Sequence, residues 1–423
     1  MPQSTHAPIN PADFVSVIDN SYFPLTPGTT FVTETETADG TMVDTTTVTR
    51  HTRVLDGVTC VAVSDIATVD GALSEKTTDY YAQDKAGNVW YFGEDTAEYE
   101  NGKVVSTEGT WHAGINGAVP GIIMEANPKV GDSYNQEHAA GVAEDHAEVV
   151  GLNASVTVPY GNFDHMLATH EDSALEPTAS EIKYYAQGIG FVEAVDQETG
   201  EIERLVEIRI DGTAKDDRLA GKSGPDVLHG HAGNDALDGG DDKVSDRLFG
   251  DGGNDRIDVR TADKAFGDAG NDTLRLFDNA GFGVVSGGTE SSHNLARSRG
   301  DILDFSGTLD LTQHDIADRI SGIETVSMRN GHGGDTLTLN AADVLDLGDG
   351  TFAPRHSGGG SGAAGGGAVR VDGNCGDRLD LTGGGWAEVA AKNAPCHYDV
   401  YVDHTSHGNA YVLVQDHVSV HIG

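Results

Sequence analysis

Seven consecutive segments between positions 212 and 275 place an aspartate at the same point of a repeating pattern. They are GTAKDDRLA, GKSGPDVLH, GHAGNDALD, GGDDKVSDRLF, GDGGNDRID, VRTADKAF and GDAGNDTLR. In most of them glycines precede the aspartate, and in all of them an apolar residue follows it two positions later. Carboxylate oxygens and exposed backbone carbonyls are the ligands that calcium prefers, and glycine permits the tight turns that expose those carbonyls. The pattern therefore predicts a calcium-binding segment.

One such turn cannot supply the six to eight oxygen atoms that a calcium ion takes, so each ion must lie between stacked turns. If two segments make one coil, the odd-numbered turns stack on one side and the even-numbered turns on the other. The odd turns keep the pattern best, and we expect about two or three ions there. The predicted odd-side ligands are the side chains of Asp217, Asp235, Asp255 and Asp272 and the carbonyls of Gly230, Ala232, Gly250, Gly252, Gly267 and Ala269. The even-side turns depart further from the pattern, and their weaker candidates are Asp226 and Asp246.

The apolar residues that follow the aspartates predict a narrow stacked core. They are Leu219, Leu228, Leu237, Leu248, Ile257, Ala265 and Leu274. A flexible linker is the alternative, but a random linker does not keep an apolar residue in phase with each aspartate. The pattern G-G-x-G-x-D-x-U-x resembles the hemolysin-type calcium-binding repeat of RTX proteins. The resemblance implies a parallel β-roll that folds around Ca²⁺, a secreted or cell-surface bacterial protein, and type I secretion machinery as a partner.

Charge and hydropathy exclude two classes of partner. The chain of 423 residues has 68 acidic and 26 basic residues, for a formal net charge of -42. Such a polyanion is repelled by nucleic acids and by anionic membranes. No apolar run approaches the roughly 18 residues of a membrane span. The first residues contain neither a basic nor an apolar segment of a cleaved signal, so we expect export by a route that does not read one.

Residues 1–208 predict an antiparallel β-domain. Short segments rich in Thr, Val and Tyr are separated by pairs that favour hairpin turns: Asp39-Gly40, Asp56-Gly57, Asp70-Gly71 and Asn101-Gly102. The hairpins predict a meander that forms a barrel, a half-barrel or a sandwich. Segments such as GNVWYF and YYAQGIG resemble β-rich domains of uncharacterised bacterial secreted proteins, a resemblance that implies a fold and no activity.

The fold class is therefore all-β: an antiparallel meander over 1–208, a calcium-binding β-roll over 209–278 and a C-terminal β-rich domain over 279–423. Segments of the last domain, such as GDILDFSG and VRVDGNCGDRLDL, resemble the ends of type I-secreted proteins. The glycine-rich stretch from His356 to Gly367 predicts a flexible surface loop. The sequence leaves open a disulfide between Cys375 and Cys396 and further calcium ligands at Asp301, Asp304, Asp335 or Asp377. Cys60, in the alternating segment GVTCVAV, is expected to be a buried small hydrophobe.

Catalytic motifs give no comparable signal. His-Glu-x-x-His and Gly-x-Ser-x-Gly do not occur. Two groups of histidines, at 138–170 and 397–421, are expected to be exposed rather than to form a metal site. Aromatic residues near positions 80, 90 and 111 are expected to be core rather than the lining of a ligand cleft.

The leading hypothesis is a non-enzymatic, secreted calcium-binding protein. Its N-terminal domain would bind a surface, a matrix component or another copy of itself. A secreted hydrolase or lyase with a site in the N-terminal domain, and a calcium-dependent surface-layer or filament subunit, remain the alternatives.

Overall fold

The computed structural model describes residues 9–288, 295, 298–329, 331, 333–348, 350–353 and 366–423. The chain divides into two compact units, Met1–Arg209 and Ile210–Gly423. Nearly all regular structure is β-strand. The two helices found in the described residues, α1 His314–Ala317 and α2 Ala341–Leu347, are both too short to cross a membrane.

The first unit is an antiparallel meander preceded by a 3-10 turn, Pro11–Asp13. Its strands are β1 Phe14–Val15, β2 Thr29–Thr37, β3 Gly40–Leu55, β4 Val58–Val69, β5 Ala72–Asp84, β6 Val89–Glu100, β7 Lys103–Ser106, β8 Trp111–His112, β9 Val119–Met124, β10 Ser133–Asn135, β11 Glu137–His138, β12 Asp145–Val158, β13 Gly161–Ser173, β14 Ser180–Ala186, β15 Gly190–Asp196 and β16 Ile202–Asp211. Strands β2 to β6 and β12 to β16 pair in sequence order, and β16 pairs back with β2. The meander therefore closes to nearly a barrel.

The turn pairs explain these hairpins. At the β3–β4 turn, Asp56 and Gly57 both have positive φ, 44° and 81°. The β4–β5 turn repeats this geometry at Asp70 and Gly71, with φ of 47° and 79°. Two successive residues with positive φ match the right-handed twist of paired strands, and Asp-Gly tolerates that conformation. The sequence prediction of hairpins is thus confirmed.

The strands of the second unit are short and mostly parallel. They are β17 Arg218–Ala220, β18 Asp226–His229, β19 Ala236–Asp238, β20 Arg247–Phe249, β21 Arg256–Val259, β22 Lys264–Phe266, β23 Thr273–Leu276, β24 Val284–Ser286, β25 Ile302–Asp304, β26 Thr308–Asp310, β27 Ile320–Ser321, β28 Thr325–Ser327, β29 Thr336–Leu339, β30 Thr351–Phe352, β31 Gly366–Asp372, β32 Arg378–Leu381, β33 Ala387–Val389, β34 Tyr398–Thr405, β35 Gly408–Gln415 and β36 Ser419–Ile422.

Alternate strands of the repeats pair with each other, which is the arrangement of a β-roll. Strands β17, β19, β21 and β23 form one parallel ladder, and β18, β20, β22 and β24 form a second. In the first ladder the apolar residues lie in register, with Leu237 beside Ile257 and Ile257 beside Leu274. These three side chains are at most 1% exposed. Inward residues two positions after the aspartates thus form a stacked core, and Val259 and Leu276 at the ends of β21 and β23 extend it.

The first ladder continues beyond the repeats. Strand β23 pairs with β25, β25 with β28, β28 with β31 and β31 with β35, all in parallel. Strands β26, β29, β32 and β36 form a third parallel ladder. One hydrophobic core contains residues from Leu219 to Val418. A division between domains 209–278 and 279–423 stays a prediction within this single compact unit.

Three remaining sequence expectations concern cysteines and the glycine-rich stretch. Cys60 is fully buried in the first unit, where burial raises the pKa of its thiol to about 12. Cys375 and Cys396 are exposed free thiols. Residues 356–365 lie outside the described residues. The last two residues of the predicted loop, Gly366 and Gly367, instead begin β31 and pair with β30.

Candidate calcium-binding site

The odd-side aspartates form a continuous ladder along the roll. The backbone N–H of Asp217 donates to Asp235 Oδ1, that of Asp235 donates to Asp255 Oδ1, and each N–O distance is 2.7 Å. The N–H of Asp255 donates in the same way to Asp272 Oδ1 at 2.7 Å. Each carboxylate is therefore held by the turn that precedes it along the stack, and the position of its second oxygen is fixed.

The second oxygens of Asp235 and Asp255 are the strongest candidate ligands. Both residues are only 2% exposed. Within the described residues, Oδ2 of each is buried and has no hydrogen-bond partner. A buried carboxylate oxygen without a donor is costly, and a bound cation would supply the missing partner.

The carbonyl of the next turn approaches the same space. A β-carbon built on Gly230 would lie 2.6 Å from Asp235 Oδ2 and 2.6 Å from the carbonyl oxygen of Gly250. One built on Gly250 would lie 2.6 Å from Asp255 Oδ2 and 2.8 Å from the carbonyl oxygen of Gly267. Glycine at these points therefore leaves open a cradle between two turns. Each cradle presents one carboxylate oxygen and one carbonyl oxygen, which fits a hard cation.

The other predicted odd-side ligands have surroundings that differ from those of Asp235 and Asp255. Asp217 Oδ2 accepts hydrogen bonds from the backbone N–H and the hydroxyl of Thr213, at 2.6 and 2.7 Å. Asp272 is fully buried and stands next in the ladder. The carbonyls of Gly252 and Ala269 accept the N–H groups of Gly233 and Gly253, at 3.0 and 2.8 Å.

Two odd-side carbonyl candidates remain, Gly230 and Ala232. A β-carbon built on Gly212 would lie 2.5 Å from the carbonyl oxygen of Gly230 and 3.2 Å from Asp217 Oδ2. Ala232 forms an isolated parallel bridge with Gly252. The structure thus brings the carbonyls of Gly250 and Gly267 to the carboxylates. It instead places the carbonyls of Gly252 and Ala269 in hydrogen bonds between turns.

The even side contains a site that the sequence ranks lower. Asp246 is fully buried, and its Oδ2 also has no hydrogen-bond partner among the described residues. Its Oδ1 accepts the N–H of Asp226 at 2.9 Å. Asp226 is buried as well, but the N–H of Lys222 donates to its Oδ2. The structure therefore favours Asp246 over Asp226.

Burial sets the electrostatics of these carboxylates. Burial, followed by repulsion from Asp263 and Asp226, raises the pKa of Asp246 to about 8. Burial, with repulsion from Asp235, raises the pKa of Asp255 to about 6. The pKa of Asp235 is raised for the same reasons. A divalent cation would offset both the desolvation and the repulsion.

The ladder extends past the last repeat to residues that the nonapeptide period does not identify. The N–H of Asp272 donates to Asp301 Oδ1, and that of Asp301 donates to Glu324 Oε2, both at 2.8 Å. A β-carbon built on Gly287 would lie 2.6 Å from Asp301 Oδ2. The segment Gly300-Asp301-Ile302-Leu303 keeps the aspartate and the apolar residue two positions later, which is the signal that links it to the repeats.

The histidines that the structure describes do not form a comparable centre. His146 Nε2 lies 2.7 Å from the Ser133 hydroxyl, and His146 Nδ1 lies 3.6 Å from Asp172 Oδ1. His397 contacts Asp416 at 3.2 Å. Across the part of the chain that the structure describes, no group of three His, Cys, Asp or Glu side chains is placed to hold a metal ion. The calcium cradles described above combine single carboxylates with backbone carbonyls and are not groups of this kind.

Comparison with known proteins identifies the repeats. Residues 211–243 and 245–276 each match the model of the RTX calcium-binding nonapeptide repeat, a model that spans four copies of the repeat. This segment therefore consists of RTX nonapeptide repeats, which bind Ca²⁺.

No curated protein matches the chain. Among solved structures, an uncharacterised lipoprotein from Parabacteroides distasonis ATCC 8503 is 16% identical, over 45% of this chain and 98% of that one. Its TM-score of 0.25 is too low to support an inference.

Proposed function

We propose that the protein is a secreted calcium-binding protein in which Ca²⁺ drives the folding of the roll. The main support is the buried second oxygen of Asp235 and that of Asp255. Each has no donor among the described residues and faces a carbonyl of the next turn. Calcium would lie between adjacent odd turns, with Asp235 and Gly250 in one gap and Asp255 and Gly267 in the next. Asp246 would provide a ligand on the even side.

Calcium binding and folding are coupled because the ligands come from turns that are far apart in the unfolded chain. At a free calcium concentration of about 100 times the dissociation constant, each occupied site adds roughly 2.7 kcal/mol of stability. Extracellular calcium modules have dissociation constants of about 10⁻⁴–10⁻³ M. The roll would therefore stay loose in a low-calcium cytoplasm and fold outside the cell, which suits passage through a type I secretion system.

The decisive experiment is a calcium titration of the EDTA-stripped full chain, followed by calorimetry and far-UV circular dichroism. We expect roughly two or more ions to bind and the β-signal to increase with occupancy. The double variant Asp235→Asn/Asp255→Asn should lose at least the two odd-side sites. Asp241→Asn is the matched control, because this aspartate belongs to the same roll and its side chain is 85% exposed.

Unchanged stoichiometry and affinity in the double variant would refute the proposed ligands. Calcium binding without a gain of β-signal would refute the coupling to folding.

We further propose that the first unit is the binding module, for a cell surface, a matrix component or a second copy of the chain. Its support is that this unit is compact in its own right and contains no repeats. Sedimentation velocity of the full chain with calcium and with EDTA tests the self-association branch. If the chain stays monomeric at all concentrations, a second copy is excluded as the partner, and only a cell surface or a matrix component remains.

A further inference from the structure

The first unit contains a cavity of about 270 Å³ whose walls combine two chemistries. Five aromatic rings line it: Phe23, Phe31, Tyr81, Tyr185 and Phe191. The titratable groups in its lining, other than the two tyrosines, are Asp44, Asp65, Glu171, Lys183 and Glu203. A closed apolar core would not contain four carboxyl groups, so this composition requires an explanation.

One of the four carboxyl groups, that of Glu171, has both a cationic partner and hydrogen-bond donors. Lys183 Nζ lies 3.0 Å from Glu171 Oε2, and the hydroxyls of Thr169 and Tyr185 donate to Glu171 Oε1 at 2.8 and 3.2 Å. Lys183 also lies 3.3 Å from Glu181. The positive charge of the lysine is thus already shared between two glutamates.

The other three carboxyl groups are less well compensated: Lys183 attracts Glu203, but this lysine is already paired with Glu171 and Glu181. Thr33 donates to Glu203 at 2.6 Å, and Thr46 donates to Asp65 at 3.2 Å. Asp44 Oδ1 is buried and accepts no hydrogen bond from the described residues. Within the described part of the chain, none of the three forms an ion pair. Burial, a side-chain hydrogen bond shared with Asp65 and repulsion from Asp65 raise the pKa of Asp44 to about 8. Burial raises the pKa of Asp65 and Glu203 too.

We propose that this cavity binds a small organic ammonium ion with an apolar body. The ammonium group would lie beside Asp44 and Asp65, and the body would pack against the aromatic rings. An ammonium ion supplies a donor to Asp44 Oδ1 and positive charge beside both carboxyl groups, and aromatic faces attract cations as well as apolar groups.

Other ligand classes fit less well. An anion would be repelled by the carboxyl groups, a neutral apolar molecule would leave them desolvated, and a bare metal ion would not use the rings. The adjacent cavity of about 350 Å³, which shares Glu171 and Lys183, has no aromatic side chain in its lining. It therefore offers carboxyl groups for the ammonium ion but no rings for the apolar body.

The test is isothermal titration of the full chain with 2-phenylethylamine near pH 8, where this amine is mostly charged. The matched probe is 2-phenylethanol, which has the same ring and spacer and a hydroxyl in place of the ammonium group. We expect saturable binding of the amine and at least tenfold weaker binding of the alcohol. Equal affinity for the two probes, or no binding of the amine at millimolar concentration, overturns the proposal.

Variants locate the site. Asp44→Asn keeps the size of the side chain and removes its charge, and it should weaken amine binding at least tenfold. Asp39→Asn, on the exposed β2–β3 turn, is the control and should bind the amine normally. A melting curve of each variant verifies folding, and amine affinity unchanged by Asp44→Asn would refute this placement. Calcium binding measured on the same samples reports on the roll separately, so failure of one proposal is distinguishable from failure of the other.

Discussion

At the scale of single residues, the glycine that begins an odd turn determines whether a cation fits. A β-carbon on Gly250 would fill the space between Asp255 Oδ2 and the carbonyl of Gly267. We therefore expect Gly250→Ala to weaken calcium binding at least tenfold, measured by calorimetry on the full chain. The expected loss corresponds to about 1.4 kcal/mol or more of binding free energy.

The same turn provides a matched control. A β-carbon on Gly252 would lie no closer than 3.4 Å to any neighbour, and the equivalent position of the two flanking odd turns is already alanine, at Ala232 and Ala269. Gly252→Ala should therefore bind calcium normally. Similar affinities for the two alanine variants would contradict the cradle.

Glu137 in the first unit leads to a prediction about pH. It is 6% exposed, and burial with repulsion from Asp145 and Glu94 raises its pKa to about 9. The folded state then binds a proton that the unfolded state has released. The contribution of protonated Glu137 to the stability of the folded state is therefore largest below the unfolded pKa near 4.5. This contribution is lost as the pH rises towards 9. We expect the first unit to be less stable at pH 8.5 than at pH 5.5.

The variant Glu137→Gln isolates this group. Its amide oxygen can still accept the indole N–H of Trp111, which donates to Glu137 Oε2 at 2.8 Å. Chemical denaturation followed by tryptophan fluorescence should show a pH slope reduced by about 1 kcal/mol per pH unit in the variant. An unchanged slope would mean that Glu137 is ionised in the folded protein at neutral pH.

Residue types and spacing predict the aspartate ladder, but they do not predict which of its aspartates has an oxygen available for calcium. Asp217 and Asp235 occupy equivalent repeat positions, yet Thr213 donates to the second oxygen of Asp217. The second oxygen of Asp235 has no donor in the part of the chain that the structure describes. Asp246 lies in a segment with two extra residues and is nevertheless fully buried. These differences depend on hydrogen bonds between side chains and backbone, which the period of the repeat does not encode.

At the scale of elements, the roll depends on the inward side chains that stack along each ladder. Ile257 is fully buried and lies in register between Leu237 and Leu274. Ile257→Ala should lower the free energy of unfolding of the calcium-bound protein by about 2–5 kcal/mol, because it leaves a cavity in the stacked core.

The neighbouring Arg256 points outward and serves as the comparison. Its side chain is 53% exposed and pairs with Asp258 at 3.0 Å. Arg256→Ala should cost less than about 1 kcal/mol, as an exposed ion pair does. Urea denaturation in calcium measures both variants, and equal losses would argue against the stacked core.

Strand pairing can be predicted from the sequence where the nine-residue period is regular, but not where that period is interrupted. The nine-residue spacing predicts that alternate strands pair, and β17, β19, β21 and β23 do so. The same ladder continues through β25 and β28. Residues 277–301 separate Leu276 from the next strand of this ladder, so the nine-residue period is interrupted. Strand pairing over such a gap depends on packing against the ladder rather than on local sequence.

At the scale of the whole molecule, the formal net charge of -42 opposes compaction unless cations offset part of it. The repeats lie wholly within the second unit, at 211–276. Calcium should therefore stabilise the second unit and leave the first unchanged. Differential scanning calorimetry of the full chain should show one transition that shifts with calcium and one that does not.

The three tryptophans allow the two units to be followed separately. Trp90 and Trp111 lie in the first unit, whereas Trp386 is buried in the core of the second. In the variant Trp386→Phe, fluorescence reports on the first unit alone, and its melting midpoint should be the same in EDTA and in millimolar calcium. The midpoint of the second unit should rise by roughly 5–10 °C for each saturated site, because each adds about 2.7 kcal/mol. A calcium-dependent midpoint in Trp386→Phe would show that the two units unfold as one cooperative structure and that calcium stabilises the first unit through the second.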